Sequence, residues 1–124
     1  MKRITNHTLP FDWQTNNCIH SAAEVIDEYH QTDCIKAVGF KFTKTEMGNF
    51  RALRKKGYKS LTELFDAHFD RKDKVYATTG DICLEDKCVG IYQYSHAVFW
   101  GKSGLRYVPR ADLGITYDLA SYHE

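Results

Sequence analysis

Cys18, Cys83, Cys88 and His96 are the residues of this 124-residue chain whose chemistry could go beyond packing, and Asp81 lies close to three of them in sequence. Cys18 falls at the start of "NNCIHSAAEVIDEYHQ". There Cys18, Ala22, Val25, Ile26 and Tyr29 recur at helical spacing, and Asn16 or Asn17 can cap the first turn. A thiol in a first turn sits at the positive end of the helix dipole, where unpaired N–H groups favour thiolate over thiol. That placement suits a nucleophile, although cysteine is equally at home in a core as a small apolar residue.

A nucleophilic thiol needs a base. His20 is two positions from Cys18, so the two do not share a helix face. His7, His30 and His123 fall in expected termini or loops, and His68 near the end of a later helix. His96 is the histidine of the strand-rich half, where alternation puts it on one face with Tyr94, Val98 and Trp100. With Glu85-Asp86 as a two-residue turn, Leu84 faces Lys87 and Cys83 faces Cys88, and opposed Cβ atoms lie ~4.5–5.5 Å apart. That distance allows a thiol pair or a cross-strand disulfide. Adding Cys18 and His96 would give a Cys/His set of the zinc type. The Cys-x4-Cys spacing is loose, however, and no second paired motif accompanies it. Core packing is therefore the expectation for Cys83 and Cys88, with no metal and no cofactor.

The elements that must position these residues read as helices first and strands after. A second helix is expected in "TEMGNFRALRKKG", with Gly57 as an αL stop, and a third in "SLTELFDAHF", where Ser60 and Glu63 form a capping box. "DCIKAVGFKF" reads as a loop with a short extended piece. Strands are expected at Asp81–Leu84, Cys88–Tyr94, His96–Trp100, Leu105–Val108 and Ile115–Tyr117, with "GKSG" as a second turn. The fold class is α+β in a single domain, 1–124, with a helical half at about 12–70 and a strand-rich half at about 75–118.

A formal charge of +1 argues against nucleic acid as the main partner. The basic cluster Arg51, Arg54, Lys55, Lys56 and Lys59 reads as the solvated side of a helix. No run reaches the ~18 apolar residues of a membrane span. "MKRITNHTL" holds no apolar h-region or cleavage site, so synthesis in the cytoplasm, with reduced thiols, is the expectation.

Together these residues resemble the NlpC-type cysteine hydrolases, a papain-like superfamily of cell-wall peptidases and amidases. In those enzymes a cysteine opens an early helix, "Gly-Asp" leads into a strand, and the next strand begins with His followed by "Val-Gly-Ile-Tyr". Here Cys18 opens the helix, Gly80-Asp81 leads the strand, and Val89-Gly90-Ile91-Tyr92 matches the second strand. His96 falls close to the family's third polar position, and Cys88 stands where the family has its base histidine. The sequence more closely resembles an uncharacterised phage and prophage family of that fold, through Trp13, Cys18, "RALRKKGY", Gly80-Asp81, "CVGI" and "GLRYVP". The resemblance implies N-terminal helices packed on a C-terminal antiparallel sheet or small barrel. It also implies a degenerate triad, because a thiol cannot do imidazole's work of taking and returning a proton at neutral pH.

Two readings follow from it. One is a non-catalytic accessory or structural protein of a phage or prophage tail, partnered by other tail or virion proteins and virion-associated through assembly or release. The other is an active thiol peptidase or amidase of cell-wall peptides. In that reading Cys18 attacks, His96 is the base, and Asp81 or Asn17 orients or stabilises.

Overall fold

Short polar side chains set where the helices begin. The structure, a computed structural model, describes residues 12, 17–33, 42–85, 88–101 and 104–123. Helix α1 (Cys18–His30) starts after Asn17, whose Oδ1 accepts from the N–H groups of Ile19 and His20 at 2.9 and 3.1 Å. Helix α2 (Glu46–Lys55) starts after Thr45, whose Oγ1 accepts from Gly48 N, and it closes through Lys56 onto Gly57 at φ 97°. Helix α3 (Leu61–His68) is capped by Ser60 Oγ on Glu63 N, while Glu63 Oε1 reaches back to Lys59 N. Thus Cys18 is the first residue of its helix, as its sequence context suggests.

The chain then forms β1 (Arg71–Lys72), β2 (Ile82–Glu85), β3 (Cys88–Gln93), β4 (His96–Gly101), β5 (Gly104–Pro109) and β6 (Ile115–Tyr117). They make one antiparallel sheet in the order β1-β6-β2-β3-β4-β5, so the architecture is α+β. Each face of the sheet has its own core. On one face Ile82, Leu84, Val89, Ile91 and Tyr117 pack beneath Cys18, Ala22, Val25 and Ile26 of α1, together with Leu53, Leu61 and Phe65 of the other helices. On the other face Cys83, Tyr92, Ala97, Phe99 and Val108 pack with Ala77 and Leu113. Cys88, the first residue of β3, touches both clusters.

The β2–β3 hairpin corrects one expected register. Glu85 continues β2 and pairs with Cys88, so Leu84 pairs with Val89 and Cys83 with Gly90. Cys83 therefore does not oppose Cys88. The expected register would have set Lys87 against Leu84 on the helix-covered face, where an ammonium has no partner in an apolar layer. The observed register pairs Val89 with Leu84 and Ile91 with Ile82 there instead. Glu85 gains an ion pair with Arg106 at 2.7 Å. Strand β1 is an element that the periodicity did not announce. Most of "DCIKAVGFKF" (residues 34–41), Trp13 and the tips of both expected turns lie outside the described residues.

Candidate thiol site

Cys18 lies against the start of β3. Helix α1 packs on β3, and Asn17 caps the first turn that begins at Cys18. Cys18 is buried, and the Cys88 thiol and the Val89 N–H are among the groups that act on its thiol. The Cys88 hydrogen bond holds Cys18 below the ordinary thiol value against the opposing effect of burial, and the N–H groups of Val89, Cys18 and Ile19 add to it. Cys88 moves the other way. Its interaction with the Cys18 sulfur pushes it up most, burial and that sulfur's charge add to this, Glu85 pushes up and Arg106 pulls down, while its Sγ lies 4.0 Å from the Val89 carbonyl oxygen. The two thiols are thus shifted in opposite directions, Cys18 down and Cys88 up.

The other expected site residues lie elsewhere. His96 pairs with Gln93 at the far end of the β3–β4 hairpin, five residues along β3 from Cys88 and so about 17 Å away. Its ring stands edge-on to Tyr107 at 5.2 Å, and Ser95 Oγ lies 3.5 Å from Nδ1. It shares a face with Val98 and Trp100 as alternation predicts, but Tyr94 is in the turn, at φ 61°. The Asp81 carbonyl accepts from the N–H of Tyr92, four residues along β3 from Cys88 or about 13 Å away. Its carboxylate is fully engaged. Oδ2 accepts from Lys72 Nζ at 2.8 Å and Thr78 N at 2.9 Å, and Oδ1 from Leu119 N at 3.0 Å. Asn17 spends its side-chain carbonyl on the helix cap. Cys83 is buried beside Thr116, and burial pushes its thiol up to about 12. So of the expected constellation only Cys18 and Cys88 meet, and His96 and Asp81 are not partners of Cys18.

No histidine is among the groups that set the acidity of Cys18. His30 Nε2 lies 2.7 Å from the Leu119 carbonyl, and His68 Nδ1 lies 2.8 Å from the His123 carbonyl, so both bind the C-terminal segment. His20 stacks on Phe42 with ring centroids 4.1 Å apart, its buried Nδ1 has no hydrogen-bond partner, and burial lowers its pKa. Between that lowered folded value and the ordinary value of about 6.5, the unfolded chain binds more protons than the folded one. This contribution to stability is therefore complete above about pH 6.5 and is lost as the pH falls. Urea unfolding at pH 7 and pH 5 checks it: His20→Gln loses less stability over that interval than the parent chain does.

A shallow basin of about 390 Å³ lies at the β1–β6 edge, lined by residues that include Arg71, Lys72 and Lys74. Its cations are already used. Arg71 is paired with Asp66, Lys72 with Asp81, and Lys74 Nζ donates to the Ala111 carbonyl at 2.6 Å. Among the described residues no group of three or more His, Cys, Asp or Glu side chains converges as a metal site would require.

A family model described as a domain of unknown function, DUF6950, matches residues 4–118. The chain belongs to the DUF6950 family. No curated protein and no solved structure matches it. Within the matched span lie both sulfurs of the thiol pair, the whole sheet and all three helices described above. No helix among the described residues is long and apolar enough to cross a membrane.

Proposed function

We propose that this DUF6950 chain has the NlpC-type papain-like architecture with its hydrolytic base replaced, and that it works as a non-hydrolysing accessory or structural protein of a phage or prophage tail. One observation carries the reading: the Cys18 thiol meets the Cys88 thiol at the strand position where that architecture holds an imidazole. The order of parts supports it too. A cysteine opens α1, Gly80-Asp81 leads β2, and Val89-Gly90-Ile91-Tyr92 forms the strand on which α1 lies. The phage setting rests on the sequence resemblance.

A thiol at position 88 leaves the chemistry half-built. Acyl transfer needs a group that accepts the nucleophile's proton and later gives it to the leaving amine near neutral pH. The Cys88 thiol is pushed up from its ordinary value, so it does not offer a thiolate base to take the Cys18 proton near neutral pH. His96 stands too far away to substitute.

The pH dependence of Cys18 alkylation, resolved by peptide mass spectrometry, tests this. In the parent chain the apparent pKa lies below the ordinary ~8.5, His96→Ala leaves it unchanged, and Cys88→Ala raises it. Cys88→His supplies the imidazole and increases alkylation at pH 6 about tenfold. A rise on His96→Ala, or hydrolysis of cell-wall peptides by the parent chain, would return the reading to an active hydrolase. The setting is tested separately. The chain cosediments with tail particles from the strain that encodes it, and recovery only in the particle-free fraction refutes the tail assignment.

A further inference from the structure

We infer that the outer side of helix α2 and the connection after it form a docking surface for the phosphate backbone of duplex nucleic acid. The formal charge of +1 averages two unlike parts of the chain. Residues 44–59 hold six cations, Lys44, Arg51, Arg54, Lys55, Lys56 and Lys59, and one acid, Glu46, so this segment carries +5 and the rest of the chain −4. All six cations are exposed, and among the described residues none of them is in an ion pair. The described cations outside the segment are all used. Arg71, Lys72 and Arg106 pair with carboxylates, while Lys74 and Arg110 donate to backbone carbonyls. Folding thus engages every other described cation and leaves the charge of this cluster facing solvent.

Helix geometry gathers the charge on one side. Met47, Arg51, Arg54 and Lys55 stand at i, i+4, i+7 and i+8, and Arg51 and Lys55 are one turn or about 6 Å apart. The opposite side of α2 is spent on the fold: Asn49 and Leu53 are buried, and Phe50 and Ala52 pack against the core. Arg54 and Lys55 also suit the negative end of the helix dipole. Lys44 stands before the positive end, where a cation is disfavoured, so the dipole does not account for the cluster.

The chemistry of the surface selects the partner. A bilayer admits a helix through an apolar side, and that of α2 is already packed on the core. A protein interface is built round apolar or aromatic anchors, and Met47, 65 % exposed, is the one exposed large hydrophobic side chain of the segment. Single strands are held by aromatic stacking, and no ring of the segment is among the exposed side chains. A duplex backbone asks only for closely spaced cations, which release its condensed counterions. The near-neutral charge of the whole chain does not oppose this, because screening limits each phosphate to cations within about 8–10 Å.

Fluorescence anisotropy of a fluorescein-labelled DNA duplex of about 20 base pairs and random sequence, titrated with the full chain at salt concentrations from about 50 to 200 mM, tests it. With four or five phosphates neutralised, the slope of log K against log salt is about −4, and affinity falls roughly 100–500-fold across that range. Arg51→Gln, Arg54→Gln and Lys55→Gln combined make the slope shallower by about 2–3. Lys56→Gln with Lys59→Gln, both outside the helix, makes it shallower by about 1–2 and serves where the triple variant does not fold. Arg71→Gln, which removes a cation already paired with Asp66, leaves affinity and slope unchanged. Absence of binding at about 50 mM salt, or a slope that the five glutamines do not alter, overturns the inference. So does tighter binding, at equal anionic charge, to phosphatidylglycerol vesicles or to polyglutamate than to the duplex. The inference does not rest on the tail reading, since duplex binding and cosedimentation with tail particles succeed or fail independently.

Discussion

Asp81→Ala lowers the unfolding free energy by about 3–5 kcal/mol, because it removes one partner from a buried charge network and strands the others. The Asp81 side chain is 3 % exposed and its ion partner Lys72 is 22 % exposed, with Nζ–Oδ2 at 2.8 Å. The same carboxylate accepts the backbone N–H groups of Thr78 and Leu119, so it joins β1, the turn before β2 and the chain after β6. Alanine leaves both N–H groups without an acceptor. Lys72 keeps only Asp118, at 3.9 Å. Asp81→Asn retains the shape and one acceptor but turns a donor toward Lys72, and costs about 1–3 kcal/mol. Urea unfolding followed by circular dichroism measures both, and the alanine variant's thermal midpoint falls by about 12–19 °C. A loss below about 1 kcal/mol would mean that water replaces the carboxylate and that the network is not structural. In either case Cys18 alkylation by the residual folded protein keeps the parent pH profile, because Asp81 stands about 13 Å from the thiol pair along β3.

The Gly80-Asp81 pair shows what a sequence reveals and what it withholds. That it leads into a strand was legible: Gly80 takes φ 99°, which glycine adopts without strain, and its N–H bonds to the Tyr92 carbonyl. That Asp81 is a structural clamp was not, because its partners Lys72, Thr78 and Leu119 come from segments that only the folded topology brings together. The same division runs through the rest of the chain. Asn17, Thr45, Ser60 and Glu63 act within four residues of themselves, so the helix starts are local information. The β2–β3 register is not local. Neither Glu85-Asp86 nor Asp86-Lys87 contains the Asn or Gly that pins a two-residue turn, so the choice falls to the apolar pairs Ile82–Ile91 and Leu84–Val89. At the candidate site Cys18 was legible as a first-turn thiol. Its neighbour was not legible from spacing, because residues 18 and 88 meet only through the packing of α1 on β3. A sequence reading that weighs histidines one at a time favours His96. The hairpin register alone then carries it to the wrong end of β3.

Gly90→Val destabilises the chain by more than about 4 kcal/mol, and Gly90→Ala by about 1–3 kcal/mol, through overpacking alone. Gly90 pairs directly with Phe99, and a Cβ placed on it would lie 2.8 Å from two atoms of the Phe99 ring and 2.9 Å from a third. The ring has nowhere to go. Phe99 is 1 % exposed, and the Arg106 guanidinium carbon lies 5.1 Å from the ring centroid. Arg106 is itself tied to Glu85, which pairs with Cys88. Pushing the ring therefore strains the Arg106–Glu85 ion pair as well as the second core cluster. A double-mutant cycle isolates the cause. In a Phe99→Leu background, Gly90→Ala costs less than about 1 kcal/mol, a coupling of about 1–2 kcal/mol that a general loss of strand propensity would not produce. If Gly90→Ala costs the same in both backgrounds, the ring is not what excludes a side chain there. The need for glycine in "Val-Gly-Ile-Tyr" would then lie in the backbone of β3, and not in the close approach of an aromatic ring from β4.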